Sequence, residues 1–371
     1  MHRHNLDSLE LSQSYLYFWD KLEKANWFLE QIVDTANEEL GGRMVQTLLG
    51  EVVSDGGQWD MVHNLVQKYG LVPQSLYPDS WNARNSRVLN GIVTTRLREA
   101  ALALRRIALD STKSDADIAA EKERTMQDIL RVLTLTLGKP PSPDEKFTWS
   151  FLDKEGAAHE LTCSPKCLAR NIYSPSPHIT TASIASMISL VHDPRHPPLT
   201  PLTVSRLGNV VGGRGVTYVN VPMQTLKSAC VSMLRAGLPV FFGCDVGKFS
   251  SSSAGIMDLR LVDYEVGLDV SMLGMNKADR LLTGESAMTH AMVLTGVHVD
   301  SKTGETVRWR VQNSWGEKAG VKGWFVMSDA WMDEFVYQAV VDPKFVGQEV
   351  RDVLGKEPVV LPLWDPMGSL A

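Results

Sequence analysis

His290 and Asn313 are the residues of this chain whose types and order can do chemistry. The run Thr289-His290-Ala291-Met292-Val293-Leu294-Thr295-Gly296 puts a histidine at the start of an apolar strand. Arg310-Val311-Gln312-Asn313-Ser314-Trp315-Gly316 puts an asparagine at the end of a later one. If the two strands pair, the amide oxygen can hold one imidazole nitrogen while the other nitrogen takes a proton from a nucleophile. That supplies the base and the orienting group of a Cys-His-Asn triad. Trp315 follows closely enough to lay its indole over the amide-imidazole hydrogen bond and keep water from competing for it.

The elements that must hold this pair are legible. Residues 290–299 and 306–313 read as a hairpin across Asp300-Ser301-Lys302-Thr303-Gly304-Glu305, and Gly323-Trp324-Phe325-Val326-Met327 as a third strand. Alternation puts Val307, Trp309, Val311 and Asn313 on one face and Arg308, Arg310 and Gln312 on the other. Asn313 therefore ends an apolar row, where an unpaired amide costs roughly 1–3 kcal/mol, and His290 is the partner it can find. A lone histidine at a strand start is ordinarily a satisfied polar residue, and so is a lone Asn-Ser. Their ordered combination with Trp-Gly and a glycine-aromatic strand is specific.

Upstream the chain reads as helical. Ser12 or Ser14 can cap a helix with Tyr15, Phe18, Leu22, Ala25, Leu29 and Ile32 on one face. Asp55-Gly56-Gly57 precedes a second helix carrying Trp59, Val62, Leu65 and Val66, which Gly70 ends. Long charged helices follow, with stripes at Val93, Leu97, Ala101, Leu104 and Ile107 and at Ile118, Met126, Ile129 and Leu133. Arg96, Arg98, Arg105 and Arg106 read as a solvated face. A hairpin is expected from Phe147 to Thr162, and the run Val211-Gly212-Gly213-Arg214-Gly215 is a turn without phosphate-loop spacing. Pro222 starts a helix with Leu226, Cys230 and Leu234 on one side, and Pro239-Val240-Phe241-Phe242 is a buried strand. The apolar, proline-rich end, Pro358 to Met367, reads as an extended docked arm.

Composition bounds the rest. The 371 residues are 44% hydrophobic, enough for one large core or two to three domains at roughly 150 residues each. No apolar run reaches the ~18 residues of a membrane span, so a soluble protein is expected. The 37 Lys+Arg and 43 Asp+Glu give a net charge of −6, which offers no general field for nucleic acid or anionic lipid. The cysteines Cys163, Cys167, Cys230 and Cys244 fit a reducing, cytoplasmic compartment better than a disulfide framework. Cys163 and Cys167 lack a second Cys/His pair, so neither a metal nor another cofactor is expected.

The His290 and Asn313-Ser314-Trp315-Gly316 pattern resembles the papain-like cysteine peptidases. Ser12 to Lys21, Asp55 to Met61, Phe242 to Lys248 and Trp364-Asp365-Pro366-Met367-Gly368 narrow the resemblance to the bleomycin hydrolase family, over nearly the whole chain. The resemblance implies an α+β, papain-like two-lobe fold, a helical lobe plus a β-rich lobe, with a large mainly helical insertion. On that pattern residues 1–81 are the remainder of the helical lobe and 82–220 the insertion with a small β-hairpin. Residues 221–350 are the β-rich lobe with His and Asn of the triad, and 351–371 the extended arm.

It further implies a cytoplasmic cysteine aminopeptidase assembled as a homohexameric ring and acting on peptides or aminoacyl amides. His290 would be its base and Asn313 the orienter. Ala371 would offer its carboxylate to the substrate's α-ammonium group, leaving room for only a short N-terminal stub. Nucleic acid, bound by some members, is not favoured as a partner here.

The chain departs from the family pattern at the nucleophile. No Gly-x-Cys-Trp-like run precedes His290, the first cysteine is Cys163, and the oxyanion-hole glutamine has no counterpart. Cys244 lies in a run that the family carries beside its separate nucleophile, and Cys230 belongs to a helix stripe, so both read as structural thiols. The expectation is a chain lacking the N-terminal segment that bears the cysteine, inactive as it stands. A mitochondrial address is conceivable if that segment carried one. The alternative is a catalytically inactive ring subunit or binding scaffold.

Overall fold

A computed structural model describes residues 4–175 and 178–369. Ala371, the residue expected to meet the substrate amine, lies outside them. The chain forms two compact units, one of Met1–Thr181 with Arg206–Val216 and one of Ala182–Ser205 with Thr217–Ala371.

The first unit is helical. Its helices are α1 (Gln13–Asp34), α2 (Arg43–Gly50), α3 (Trp59–Tyr69), α4 (Trp81–Arg84), α5 (Arg87–Leu109) and α6 (Asp115–Leu137). A hairpin of β1 (Phe147–Leu152) and β2 (Ala158–Cys163), α7 (Pro165–Arg170), and the pair β3 (Tyr173–Pro175) and β4 (His178–Thr180) complete it. Ser12 caps α1 by accepting from the Tyr15 N–H, and α1 packs on α3, α5 and α6. Gly70 ends α3 at φ +82°, where a Cβ would lie 2.2 Å from the Pro165 carbonyl carbon, so only glycine fits.

Charge burial departs from the periodic reading in two places. Leu22 is only half-buried, whereas Lys21 and Lys24 on α1 are buried. The Lys21 ammonium donates to the Val53 and Ser54 carbonyls at 2.6 and 3.0 Å and pairs with Asp55 at 2.5 Å. Lys24 donates to Gly56 O at 2.5 Å and pairs with Asp20 at 2.6 Å. Arg105, expected on a solvated face, is also buried. Its guanidinium donates to Thr35 O at 2.7 Å and to Glu38 O, serving carbonyls just beyond the end of α1.

The second unit begins with α8 (Thr181–Ala185) at its edge and continues through β5 (Ile188–Val191), β6 (Thr200–Val204), β7 (Tyr218–Asn220), α9 (Met223–Arg235) and β8 (Val240–Cys244). Then come β9 (Ser250–Ser251), β10 (Ile256–Met257), α10 (Tyr264–Leu268), α11 (Lys277–Thr283), β11 (His290–Val299), β12 (Thr306–Gln312) and β13 (Trp324–Ser328). The unit ends with α12 (Asp329–Phe335), β14 (Val336–Val341), α13 (Gln348–Asp352) and β15 (Val359–Leu361). Among the described residues these strands form one sheet in the order β15-β6-β7-β5-β14-β8-β11-β12-β13-β10-β9. The central strands β14 and β8 are buried almost throughout, as strands covered on both sides must be.

Two local details differ from the periodic reading. Val307 is 42% exposed, because the β11-β12 register shifts between His298 and Val299 and takes it out of the apolar row. On α9 the buried position is Met233 and not Leu234. The terminal arm docks through the short strand β15, which runs parallel to β6, while Arg195 bridges Asp193 and Asp365 at 2.8 Å each and the Tyr218 hydroxyl donates to Met367 O at 3.1 Å. No helix among the described residues is long and apolar enough to cross a membrane.

Candidate active site

β8 and β12 flank β11 and hold its first residue, His290, opposite Cys244 in register. Asn313 follows the last residue of β12, and its N–H donates to Gly323 O at 3.0 Å. The hairpin thus returns Asn313 to His290, and their side chains meet with Nε2 of the ring 2.8 Å from Oδ1 of the amide. Asn313 is 7% exposed and His290 half-buried.

The amide's orientation is set by a neighbour that side-chain patterns do not reveal. The Ser314 N–H donates to the same Oδ1 at 2.8 Å, so turning the amide would set two donors against each other. Oδ1 only accepts, so Nε2 of His290 carries the proton and Nδ1 keeps its lone pair. The Asn313 Nδ2 is buried with no hydrogen-bond partner among the described residues. The side chain is therefore held by its oxygen alone.

Trp315 covers the ring. Its indole lies 4.7 Å from the imidazole centroid, tilted by 31°, and packs edge-on against Phe325 at 6.2 Å. Its outer face stays in solvent, with 46% of the residue exposed. Burial pulls the His290 imidazole below its ordinary range, and the Asn313 hydrogen bond pulls the other way. Near neutral pH the ring is a neutral base with a free Nδ1.

None of the four cysteines stands ready as the nucleophile. Cys244 is the strand partner of His290, yet it is fully buried and its thiol donates to the His290 carbonyl at 3.6 Å. Burial, with help from Asp245, pushes its thiol well above the ordinary range. Cys230 is on the buried face of α9 and is pushed up to about 12 by the same desolvation. Cys163 and Cys167 belong to the other unit. Burial raises the first, and the exposed sulfur of the second accepts from Asn171 Nδ2 at 3.4 Å. Among the described residues no cluster of three or more His, Cys, Asp or Glu is placed to hold a metal.

Comparison with known proteins gives a consistent picture. The profile of the peptidase C1-like family matches residues 1–368. The chain is 42% identical to "Bleomycin hydrolase" of Rattus norvegicus over all of its own length and 81% of that protein. It is 42% identical to "Aminopeptidase C" of Streptococcus thermophilus, covering 99% of this chain and 80% of that one. Among solved structures, PepW from "Lactobacillus rhamnosis" superposes with a TM-score of 0.93 at 40% identity, covering 100% of this chain and 81% of the other. The α+β architecture is therefore of the papain-like type.

Proposed function

The chain belongs to the peptidase C1-like family, in its bleomycin hydrolase branch, and from that premise we propose that it is built for cysteine-type aminopeptidase chemistry on peptides and aminoacyl amides. The observation that carries this reading is the 2.8 Å contact between His290 Nε2 and Asn313 Oδ1, with the oxygen fixed by Ser314. In that arrangement Nδ1 accepts the proton of a thiol, and the thiolate attacks the carbonyl carbon of the N-terminal residue. The imidazolium, steadied by Asn313, returns the proton to the leaving amine. Water then releases the acyl group with the same nitrogen as base. Trp315 keeps water off the amide-imidazole bond while these charges develop. Ala371 would take the substrate's α-ammonium group on its carboxylate.

The nucleophile of this proposal is not one of the four cysteines, so the 371-residue chain by itself turns over no aminoacyl substrate. Base and orienter without a nucleophile retain almost nothing of a triad's rate enhancement. The test compares the purified chain with a version extended upstream through a Gly-x-Cys-Trp-like segment, each assayed on an aminoacyl amide with and without a thiol alkylator. Turnover by the extended form alone, abolished by alkylation, supports the reading. Thiol-dependent turnover by the short chain overturns the assignment of the nucleophile. Two inactive forms favour the alternative, a non-catalytic ring subunit or scaffold. We further propose a cytoplasmic homohexamer, in which residues 82–220 form the insertion and 351–371 the arm.

A further inference from the structure

His290 is the first residue of its strand, and strand ends fray unless something outside the ladder holds them. Residues 284–289, which lead into it, belong to no helix or strand. The Thr289 N–H donates to Cys244 O at 3.0 Å. Beyond that bond, the Ser286 N–H donates to Arg280 O at 3.2 Å and Glu285 pairs with Lys248 at 2.5 Å, and the side chain that reaches both Ser286 and Thr289 is that of Asp245. This residue is 5% exposed, and its backbone is tied by its own N–H to Phe335 O at 2.9 Å. Its carboxylate accepts the Ser286 hydroxyl at 2.8 Å and the Thr289 hydroxyl at 3.4 Å, so it grips the approach to His290 at two points.

The direction of this network is set by proton counting. The Tyr337 hydroxyl, fully buried, donates to Ser286 Oγ at 2.7 Å, and the single proton of Ser286 is thereby left for Asp245. A carboxylate suits the end of such a chain because it only accepts, whereas an amide would turn an N–H2 towards one of the two hydroxyls. Among the described residues Asp245 has no ion-pair partner. A buried carboxylate held by hydroxyls alone is an expensive way merely to fill space. What it achieves is a fixed entry into β11 where the ring must meet Asn313.

We propose that Asp245, with Ser286 and Tyr337 behind it, is a positioning residue for His290: it acts through the backbone of residues 286–289 to hold the imidazole against Asn313. The proposal rests on reading His290 as the base, and its test does not use turnover. In the 371-residue chain with 15N-labelled histidine, the Nε2 proton of His290 is followed by NMR and its exchange with solvent measured. Asp245→Asn and Ser286→Ala are each expected to speed that exchange about two- to tenfold, the range for one lost hydrogen bond, with Tyr337→Phe acting in the same direction more weakly. Amide signals of α9 report whether the unit is still folded. Should Asp245→Asn fail to fold, Ser286→Ala decides. Exchange unchanged in Ser286→Ala overturns the proposal, even if thermal stability falls. An extended chain that shows no activity while His290 remains bonded to Asn313 would instead strike the peptidase reading alone.

Discussion

Replacing Asn313 with alanine separates the geometry of the site from the stability of the fold. The substitution removes two bonds to Oδ1, from His290 Nε2 and from the Ser314 N–H, both 2.8 Å long. Each is worth about 0.5–1.5 kcal/mol net, and Ser314 is exposed, so its N–H can turn to water. The same substitution deletes the buried, unpartnered Nδ2, which recovers about 1–3 kcal/mol. Stability should therefore change by no more than about 2 kcal/mol in either direction in a urea titration.

The ring, in contrast, loses its anchor. The population with the proton on Nε2 and Nδ1 free should fall about two- to twelvefold, the equivalent of that one hydrogen bond. The His290 titration should move further down, because the Asn313 bond is what opposes the lowering by burial. Ring-nitrogen NMR reads both quantities in the intact chain. A His290 titration that rises, or ring signals indifferent to Asn313→Ala, would refute the reasoning.

Three further outcomes follow from the structure. In the native chain Cys167 should react first with a thiol reagent, whereas Cys163, Cys230 and Cys244 should wait for unfolding, as titration with and without denaturant will show. Arg105→Met should lower stability by about 1.5–3 kcal/mol, since the carbonyls of Thr35 and Glu38 lose a charged donor, and Lys in its place should recover only part of this on urea denaturation. The Asp55 carboxyl, which burial alone would raise, is drawn down to about 2 from 3.8 by the Lys21 ammonium and by hydrogen bonds from Lys21, Ser86 and Asn90. Its contribution is complete above about 3.8 and is lost as pH falls through about 2. With the side chain 46% exposed it amounts to on the order of 1 kcal/mol after screening. Lys21 itself moves down to about 8, because burial and Lys24 outweigh Asp55. The acid limb therefore reports the pair, and Asp55→Asn should flatten it in a pH series of denaturation curves.

The sequence by itself determined the elements and the central pair of residues. Periodicity records which face of a helix or strand is apolar, and that local property placed α1, α3, the β1-β2 hairpin and the β11-β12 hairpin. The order of His290, Asn313 and Trp315 along that hairpin then left few ways for the three side chains to meet other than the contacts observed. Tertiary structure alone decided where charge is buried, because the acceptors come from distant segments. Lys21 and Lys24 sink beside the carbonyls of residues 53–56, and Arg105 reaches the end of α1. No periodic pattern encodes such partners.

The same holds for Cys244, which strand register places opposite His290 while burial withholds its thiol, and for the arm whose β15 joins the sheet edge beside β6. The Ser314 N–H that selects the amide oxygen is a backbone group, present in any sequence and given meaning only by where the chain turns. Side-chain pattern is a property of neighbours along the chain. Hydrogen-bond satisfaction in a buried site depends on neighbours in space, and only the fold supplies those.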